Sequence, residues 1–379
     1  MKAHYSLSEI TLYFLKLGTV GFGGPAALIA YMHRDLVENK SWISEEDYKE
    51  GLALAQLAPG PLAAQLAIYL GYVHYRVLGA TIVGLAFVIP SFLMVVLLGY
   101  LYTLYGGLSW IQAVFYGISA AVIGIIGLSS HKLVTKSIGN DYFLWVIFVI
   151  TALFTVITES ESVWLFFIGG VSYTLYKNPP KFQKTNFIAP LGLSFLGVSA
   201  SDSDILVKIA LFFAKAGAFV FGSGLAIVPF LYAGVVKEYH WLNEKQFLDA
   251  VAVAMITPGP VVITVGFIGY LVLGFKGALV AALATFLPCY FFTILPAPYF
   301  KKYGGLPRIK SFVSGITAAA VGAISGAVII LGKRSLLDFN TIAIALITVL
   351  LLWKYKKIQE PIVILGAAVL GYILKNLAI

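Results

Sequence analysis

The chain is written twice. Laid over itself at a spacing of 199 residues, Lys16 meets Lys215, Gly18 meets Gly217, Phe22-Gly23 meets Phe221-Gly222, Trp42 meets Trp241, and Pro59-Gly60-Pro61 meets Pro258-Gly259-Pro260. At 198, Gly71-Tyr72 meets Gly269-Tyr270, Pro90 meets Pro288, and Gly117-Ile118 meets Gly315-Ile316. Register held over so many positions marks a tandem duplication, so whatever one half folds into the other folds into as well. We divide the chain into a first repeat, 1–176, a linker, 177–208, and a second repeat, 209–379.

What fills each copy decides its solvent. Hydrophobic residues make up 60% of the chain and charged residues 11%, where a soluble domain carries about 25% charge. An ordinary soluble enzyme is excluded. Runs long enough to cross the roughly 30 Å hydrocarbon core fall near 9–32, 51–73, 77–103, 109–130, 142–158 and 162–176, and again near 205–235, 247–273, 275–300, 307–331, 336–353 and 361–377. A shorter apolar piece lies at 187–200. The expectation is an all-α polytopic membrane protein in contact with the lipid bilayer. The start of the chain has no short apolar core with a small-residue cleavage site, so its first run is read as the first span. The net charge of +9 lies mostly in short segments between apolar runs and does not imply nucleic acid. A single cysteine, Cys289, excludes a disulfide framework and a cysteine-based zinc site.

The same loop charges address orientation. Thr103–Ser109 has no Lys or Arg, whereas its equivalent has Lys301, Lys302, Arg308 and Lys310; Glu159–Glu161 has none, whereas its equivalent has Lys354, Lys356 and Lys357. Cytoplasmic loops are rich in Lys and Arg, so equivalent loops with opposite content favour inverted repeats. Inversion needs an odd number of crossings before the second repeat. That makes 187–200 a span and gives thirteen in all, with the N-terminus inside. One loop resists: His33–Lys49 carries Arg34, Lys40 and Lys49 but falls outside if 51–73 crosses once. A re-entrant hairpin there would return it inside.

The chemistry-bearing elements are the two breaks duplicated in both halves. Pro59-Gly60-Pro61 and Pro258-Gly259-Pro260 each interrupt an apolar run, because proline lacks an N–H and clashes with the preceding turn. Pro61 and Pro260 are placed to start a second half-helix. Its free N–H groups and positive dipole end suit an anion, and non-helical backbone at that depth is tolerated where it lines a cavity. The second break is Gly21-Phe22-Gly23-Gly24-Pro25, matched by Val220-Phe221-Gly222-Ser223-Gly224. Just upstream lie Lys16 and Lys215, cations inside spans that turn toward a cavity or snorkel to an interface. Gln56 and Gln65 bracket the first Pro-Gly-Pro turn, and Thr257 and Thr264 lie around the second. Glu50 and Asp249 are equivalent carboxylates opening the broken spans; they are candidates for a proton relay, against the plainer reading of first-turn acids facing an interface. No His or Cys pair has metal-ligand spacing. No hydrolase, zinc-protease, Walker A or dinucleotide motif occurs, so no catalytic residue, cofactor or ATP-driven step is expected.

Phe14-Leu15-Lys16-Leu17-Gly18, Phe22-Gly23-Gly24-Pro25, Trp42, Leu54 to Pro61, Gln65 and Gly71-Tyr72 together resemble the chromate transporter family over the whole chain. Phe221-Gly222-Ser223-Gly224 departs from the Phe-Gly-Gly-Pro block and gives the halves unequal roles. The resemblance implies two oppositely oriented halves, thirteen spans, the cytoplasmic membrane, and secondary export of chromate driven by the proton gradient, with sulfate as a related oxyanion. Substrate-binding residues would be Lys16, Gly23, Gly24, Gln56, Pro59, Gly60, Pro61, Gln65, Lys215, Gly222, Thr257, Pro258, Gly259 and Pro260. The residues themselves leave open a passive anion channel and a lipid-phosphate flippase. A homodimer is compatible with all three.

Overall fold

The computed structural model describes residues 5–22, 24–159, 162–179, 205–220, 224, 227–303, 306–355 and 358–377. The expected linking span at 187–200, and Gly23 and Gly222 in the glycine breaks, lie outside the described residues.

A Ser6–Glu9 capping box starts α1 (Leu7–Val20), which ends at Gly21. The chain resumes in α2 (Gly24–Met32) and continues as a π-helical turn, His33–Asn39. Three contacts fix its direction. A Cβ on Gly21 would meet Leu28 at 2.6 Å, the Tyr13 hydroxyl donates to Asp35 Oδ2 at 3.3 Å, and Tyr5 stacks on Trp42 with centroids 5.0 Å apart. Early residues thus pair with late ones, and α2 runs back along α1. The run 9–32, expected to cross once, is instead two limbs, the first of 14 residues and about 21 Å long.

The next run behaves the same way. Ser44 caps α3 (Glu45–Leu57) by accepting from the Asp47 N–H, and α3 stops at Ala58 before the first Pro-Gly-Pro turn. Beyond the turn, α4 (Leu62–Tyr105) begins. Gly51 lies against the ring of Tyr69, leaving no room for a Cβ. These positions are nearly equidistant from Gly60, so α3 and the first limb of α4 form a hairpin with the turn at its tip. The expected single crossing at 51–73 is therefore a re-entrant pair, the alternative that the charge of His33–Lys49 required. Arg76, at φ 52°, then reverses the chain inside α4. A Cβ on Gly71 would lie 2.5 Å from the Gly79 carbonyl oxygen, where eight residues of straight helix would separate them by about 12 Å. The Tyr75 hydroxyl donates to the Tyr5 carbonyl, returning this limb to the start of α1. The distal limb of α4, 77–105, then runs about 43 Å.

The first half closes with α5 (Ser109–Ser137), α6 (Tyr142–Thr158) and α7 (Val163–Lys177), the last two tied by Lys177 to Asp141 at 3.0 Å. The second half repeats the series: α8 (Ile205–Ala218), α9 (Ile227–Leu231) with its π-turn Tyr232–Glu238, and α10 (Glu244–Ile256). After the second Pro-Gly-Pro turn, a 3-10 turn (Val261–Ile263) leads into α11 (Thr264–Ile294), which reverses at Leu273–Gly274 with Gly269 against Gly277. Then come α12 (Ala297–Tyr303), α13 (Pro307–Ser335), α14 (Phe339–Lys354) and α15 (Glu360–Leu377).

The halves interlock. The distal limbs of α4 and α11 touch where Thr81 meets the Tyr290 hydroxyl at 2.6 Å and where Phe92 meets Phe275 at 6.3 Å between centroids. As the α4 number rises the α11 number falls, so these equivalent helices run in opposite directions. α5 of the first half packs on α14 and α15 of the second, and α13 of the second packs on α6 and α7 of the first. Glycine makes this possible: a Cβ on Gly117 would collide with the Ala367 carbonyl, and one on Gly315 with that of Gly169. Small residues are the usual means of close helix approach in lipid.

Among the described residues, four helices are long and apolar enough to cross a bilayer, Leu62–Tyr105, Ser109–Ser137, Val261–Phe300 and Pro307–Ser335; Tyr142–Thr158 and Phe339–Lys354 are apolar but shorter. Leu93, Leu97, Leu283 and Leu287 are each more than half exposed. Four-residue spacing puts each pair on one helix face, an outward apolar stripe suited to lipid. The protein is an all-α, multi-pass membrane protein.

Candidate functional site

Four helix tips converge at the centre. The Gly60 N–H donates to the Val220 carbonyl at 2.6 Å, and the Gly259 N–H donates to the Gly21 carbonyl at 2.9 Å. Both pairs are equivalent at spacing 199, so each repeat hands its Pro-Gly-Pro turn to the end of the first helix of the other. Gly60 and Gly259 take φ of 142° and 96°, a region that favours glycine. Each tip fills a slot in the opposite half. A Cβ on Gly259 would overlap the Ser91 hydroxyl, which itself donates to the Gly18 carbonyl at 3.3 Å. A Cβ on Gly60 would lie 3.2 Å from Cys289, the equivalent of Ser91, and 2.7 Å from Gln65 Nε2.

Between the tips is a space of about 10 Å³, lined by Pro25, Pro61, Leu62, Ala63, Gly224, Gly259 and Val261 among others. That is room for about one water. The first turns at 62–64 and 261–263 begin at this space with no side-chain cap; the opening N–H groups of a helix have no intrahelical acceptor, which leaves 62–64 and 261–262, the Ile263 N–H donating to the Pro260 carbonyl at 2.9 Å. With apolar side chains around them, these donors and two dipole ends make the centre attractive to an anion.

The remaining candidates scatter around this centre. Gln65 is fully buried; its Nε2 donates to the Pro59 carbonyl at 2.8 Å, and its Oε1 has no hydrogen-bond partner among the described residues. Thr257 is buried but spends its hydroxyl on the Val253 carbonyl at 2.7 Å, and Thr264 does likewise with Val261 at 2.8 Å. Gln56 is exposed on α3. Lys16 and Lys215 are exposed and do not line the central space. Lys215 lines a cavity of about 460 Å³ with Thr158, Glu159 and Lys237, its Nζ 5.8 Å from the Phe230 ring centroid.

The two carboxylates part company. Glu50 is half-buried against the Tyr69 hydroxyl of its own hairpin. Asp249 is 1% exposed; Tyr102 donates to its Oδ2 at 2.6 Å, and the Ser119 hydroxyl stands 3.5 Å from its Oδ1. Both partners belong to the first half. Neither Tyr102 nor Ser119 stood out in the sequence, although the 198-residue spacing carried a signal: it sets Phe300 against Tyr102 and Thr317 against Ser119.

An ionic cluster also escaped sequence reading. Arg334 at the end of α13 bonds both Glu244, which opens α10, and Glu159, which follows α6. Lys237 reaches Glu159 at 3.2 Å and Tyr232 donates to Glu244 at 2.9 Å. The hydrogen bond from Arg334 holds the Glu159 carboxyl below its usual range. Among the described residues no group of His, Cys, Asp and Glu could hold a metal ion.

A chromate transporter family model matches residues 8–174 and again 207–372. The chain is 65% identical to the chromate transport protein of Cupriavidus metallidurans, over 97% of this chain and 93% of that one. It is 60% identical to a probable chromate transport protein of Synechococcus elongatus, over 97% and 96% respectively, and 30% identical to the chromate transport protein of Pseudomonas aeruginosa, over 97% and 92%. No solved structure gives a significant match. Two matched copies covering nearly all of both halves, on a helical membrane scaffold without enzyme motifs, place this chain in the chromate transporter family, a family of membrane transporters and not of enzymes.

Proposed function

We propose that this protein is a secondary transporter of the cytoplasmic membrane that exports chromate, with sulfate-like oxyanions as weaker substrates, and that the proton gradient drives it. The observation that carries this reading is the reciprocal pairing of the Pro-Gly-Pro tips around two uncapped half-helix starts. Backbone N–H groups at 62–64 and 261–262 bind the oxyanion oxygens, and Lys16 and Lys215 offset its charge from about two turns away. Because the space between the tips holds about one water, a tetrahedral oxyanion enters only when the tips part. The glycine-packed helices α5 to α7 and α13 to α15 serve as the frame against which the hairpins move.

Inverted orientation of the repeats is part of this reading. Its support is the opposed direction of the equivalent limbs of α4 and α11, since a two-fold axis along the membrane normal would leave them parallel. Each half then contributes two re-entrant hairpins and four crossing elements, where apolar length alone led us to expect six crossings per half. A basic loop at His33–Lys49 falls inside, as the positive-inside rule asks.

A cleft of about 300 Å³ reaches Ala58 and Pro59 between Leu54 and Phe291. Its walls carry no charged side chain, so it suits an acyl chain and not a phosphorylated headgroup. The flippase reading gains nothing from it. The test is flux into liposomes containing the purified protein, with chromate, sulfate, molybdate, phosphate and chloride compared under an imposed proton gradient. The proposal expects chromate to move fastest, to accumulate with the gradient and to show trans-stimulation by unlabelled chromate. Chloride moving as fast, with no trans-stimulation, identifies a channel and overturns it.

A further inference from the structure

We propose that Asp249 is a proton-carrying carboxylate, reached from the face opposite the N-terminus through a cavity of its own, and that each chain has one such site and not two. The inference rests on the reading above as a gradient-driven transporter.

Asp249 is buried, and among the described residues no cation stands within ion-pairing distance. A lone carboxylate at that depth is costly as an anion unless water or a proton reaches it. The molecule supplies the route. A cavity of about 570 Å³ is lined by Gln112, Tyr116, Ser119, Lys245, Asp338 and Lys375, and Ser119 both lines it and faces Asp249 Oδ1 at 3.5 Å. The other ionisable groups around it are Lys245, one turn earlier on the same helix and beyond ion-pairing distance but close enough to attract it electrostatically, Glu244 beside it, bound by Arg334 of α13, and Tyr102 of α4. Asp338 is engaged by Tyr116 at 2.7 Å, and Lys375 of α15 lies 4.9 Å from the Tyr116 ring centroid.

The side follows from the chain path. The distal limb of α4 leaves the neighbourhood of Tyr5 and ends at Tyr105, and α5 starts four residues later at Ser109, at the mouth of this cavity. A larger cavity, about 930 Å³ and lined by Tyr31, His131, Lys132 and Glu360, lies at the other end of α5. The two cavities thus serve opposite faces. Only one half has the device, because Phe300 and Thr317 stand where Tyr102 and Ser119 would be needed beside Glu50, and phenylalanine cannot donate a hydrogen bond.

The coupling is mechanical. Asp249 lies eight residues before Thr257, about 12 Å along one rigid limb from the second Pro-Gly-Pro tip. As an anion it holds that limb to the first half through the charge-assisted bond from Tyr102. Protonation weakens that bond and frees the limb.

The test uses the full-length protein in liposomes and reads the ratio of pH-gradient-driven chromate uptake to chromate counterflow. Asp249→Asn should lower that ratio by about tenfold, and Glu50→Gln should leave it at the wild-type value. An unchanged ratio in Asp249→Asn, or an equal fall in Glu50→Gln, overturns the assignment while leaving gradient-driven transport intact. Wild-type protein that shows counterflow but ignores the gradient removes proton coupling and this site with it. The route is tested separately by labelling Ser119→Cys with an impermeant thiol reagent, the native Cys289 being fully buried. Labelling from the face opposite the N-terminus is expected; labelling from the N-terminal face alone, or of neither face in protein that retains counterflow, overturns the route.

Discussion

The two halves of the molecule agree at their tips and disagree at their mouths. At the centre, Gly60 and Gly259 make the same hydrogen bond to equivalent carbonyls of the opposite half. At the mouths, His33 of the first half bonds Glu45 at 2.9 Å and Glu38 at 3.1 Å beside the start of α3. Its equivalent in the second half is Tyr232, and there Arg334 clasps Glu244 and Glu159 across three elements. Duplication therefore kept the part that, in the mechanism proposed above, presents matched donors to one small anion. It released the parts to which the same proposal gives the opening of each face and the holding of a proton.

The largest effect should come from the tips. Gly259→Ala forces a left-handed backbone on a residue with a Cβ, a strain of about 1–3 kcal/mol, and drives that Cβ into Ser91. Chromate flux should fall by about a hundredfold or more, since misplacement by about 1 Å costs that much. Gly60→Ala meets the movable end of Gln65 and should be milder; equal loss would break the distinction between the slots. Next, Lys16→Ala with Lys215→Ala should reduce flux in everted vesicles by about tenfold if each lysine contributes under 1 kcal/mol of partly screened attraction. Wild-type flux in the double variant removes the lysines from the mechanism.

Arg334→Ala should have a smaller and one-sided effect. It releases α10 from α13 and from the α6–α7 turn, so thiol labelling at the second mouth should quicken by about threefold to tenfold, the loss of one partly exposed ion-pair network. An equal change at the first mouth would contradict the asymmetry. The smallest effect separates frame from surface. Gly366 has open space where a Cβ would go, and Gly366→Ala should raise stability by about 0.5–1 kcal/mol. Gly117→Ala should lower it by about 1–3 kcal/mol through overpacking, both read from thermal unfolding in detergent.

Much of this was legible from the residues. The duplication, the helical membrane class and the Pro-Gly-Pro breaks follow from register, apolar length and the geometry of proline. The folding back of 9–32 and 51–73 was nearly invisible, because two half-length limbs joined by a break have the same apolar length as one crossing. Its one trace was the basic loop His33–Lys49. The exchange of Gly60 with Val220 left none, since backbone hydrogen bonds between distant segments carry no side-chain signature. Gln56 illustrates a further limit: it is two residues from Ala58, yet helical phase turns it to the exposed face of α3. Glu50 and Asp249 were equivalent by register and differ by partners, and partners are a property of the fold.

The central claim, that an oxyanion is held where the two Pro-Gly-Pro tips meet, is tested most directly by locating chromium through anomalous X-ray scattering in crystals of the chromate-bound protein. The account predicts one peak within hydrogen-bonding reach of the N–H groups at 62–64 and 261–262, with the Gly60–Val220 and Gly259–Gly21 bonds lengthened. A peak beside Lys16 or Lys215 alone, with both tip bonds unchanged, would contradict it.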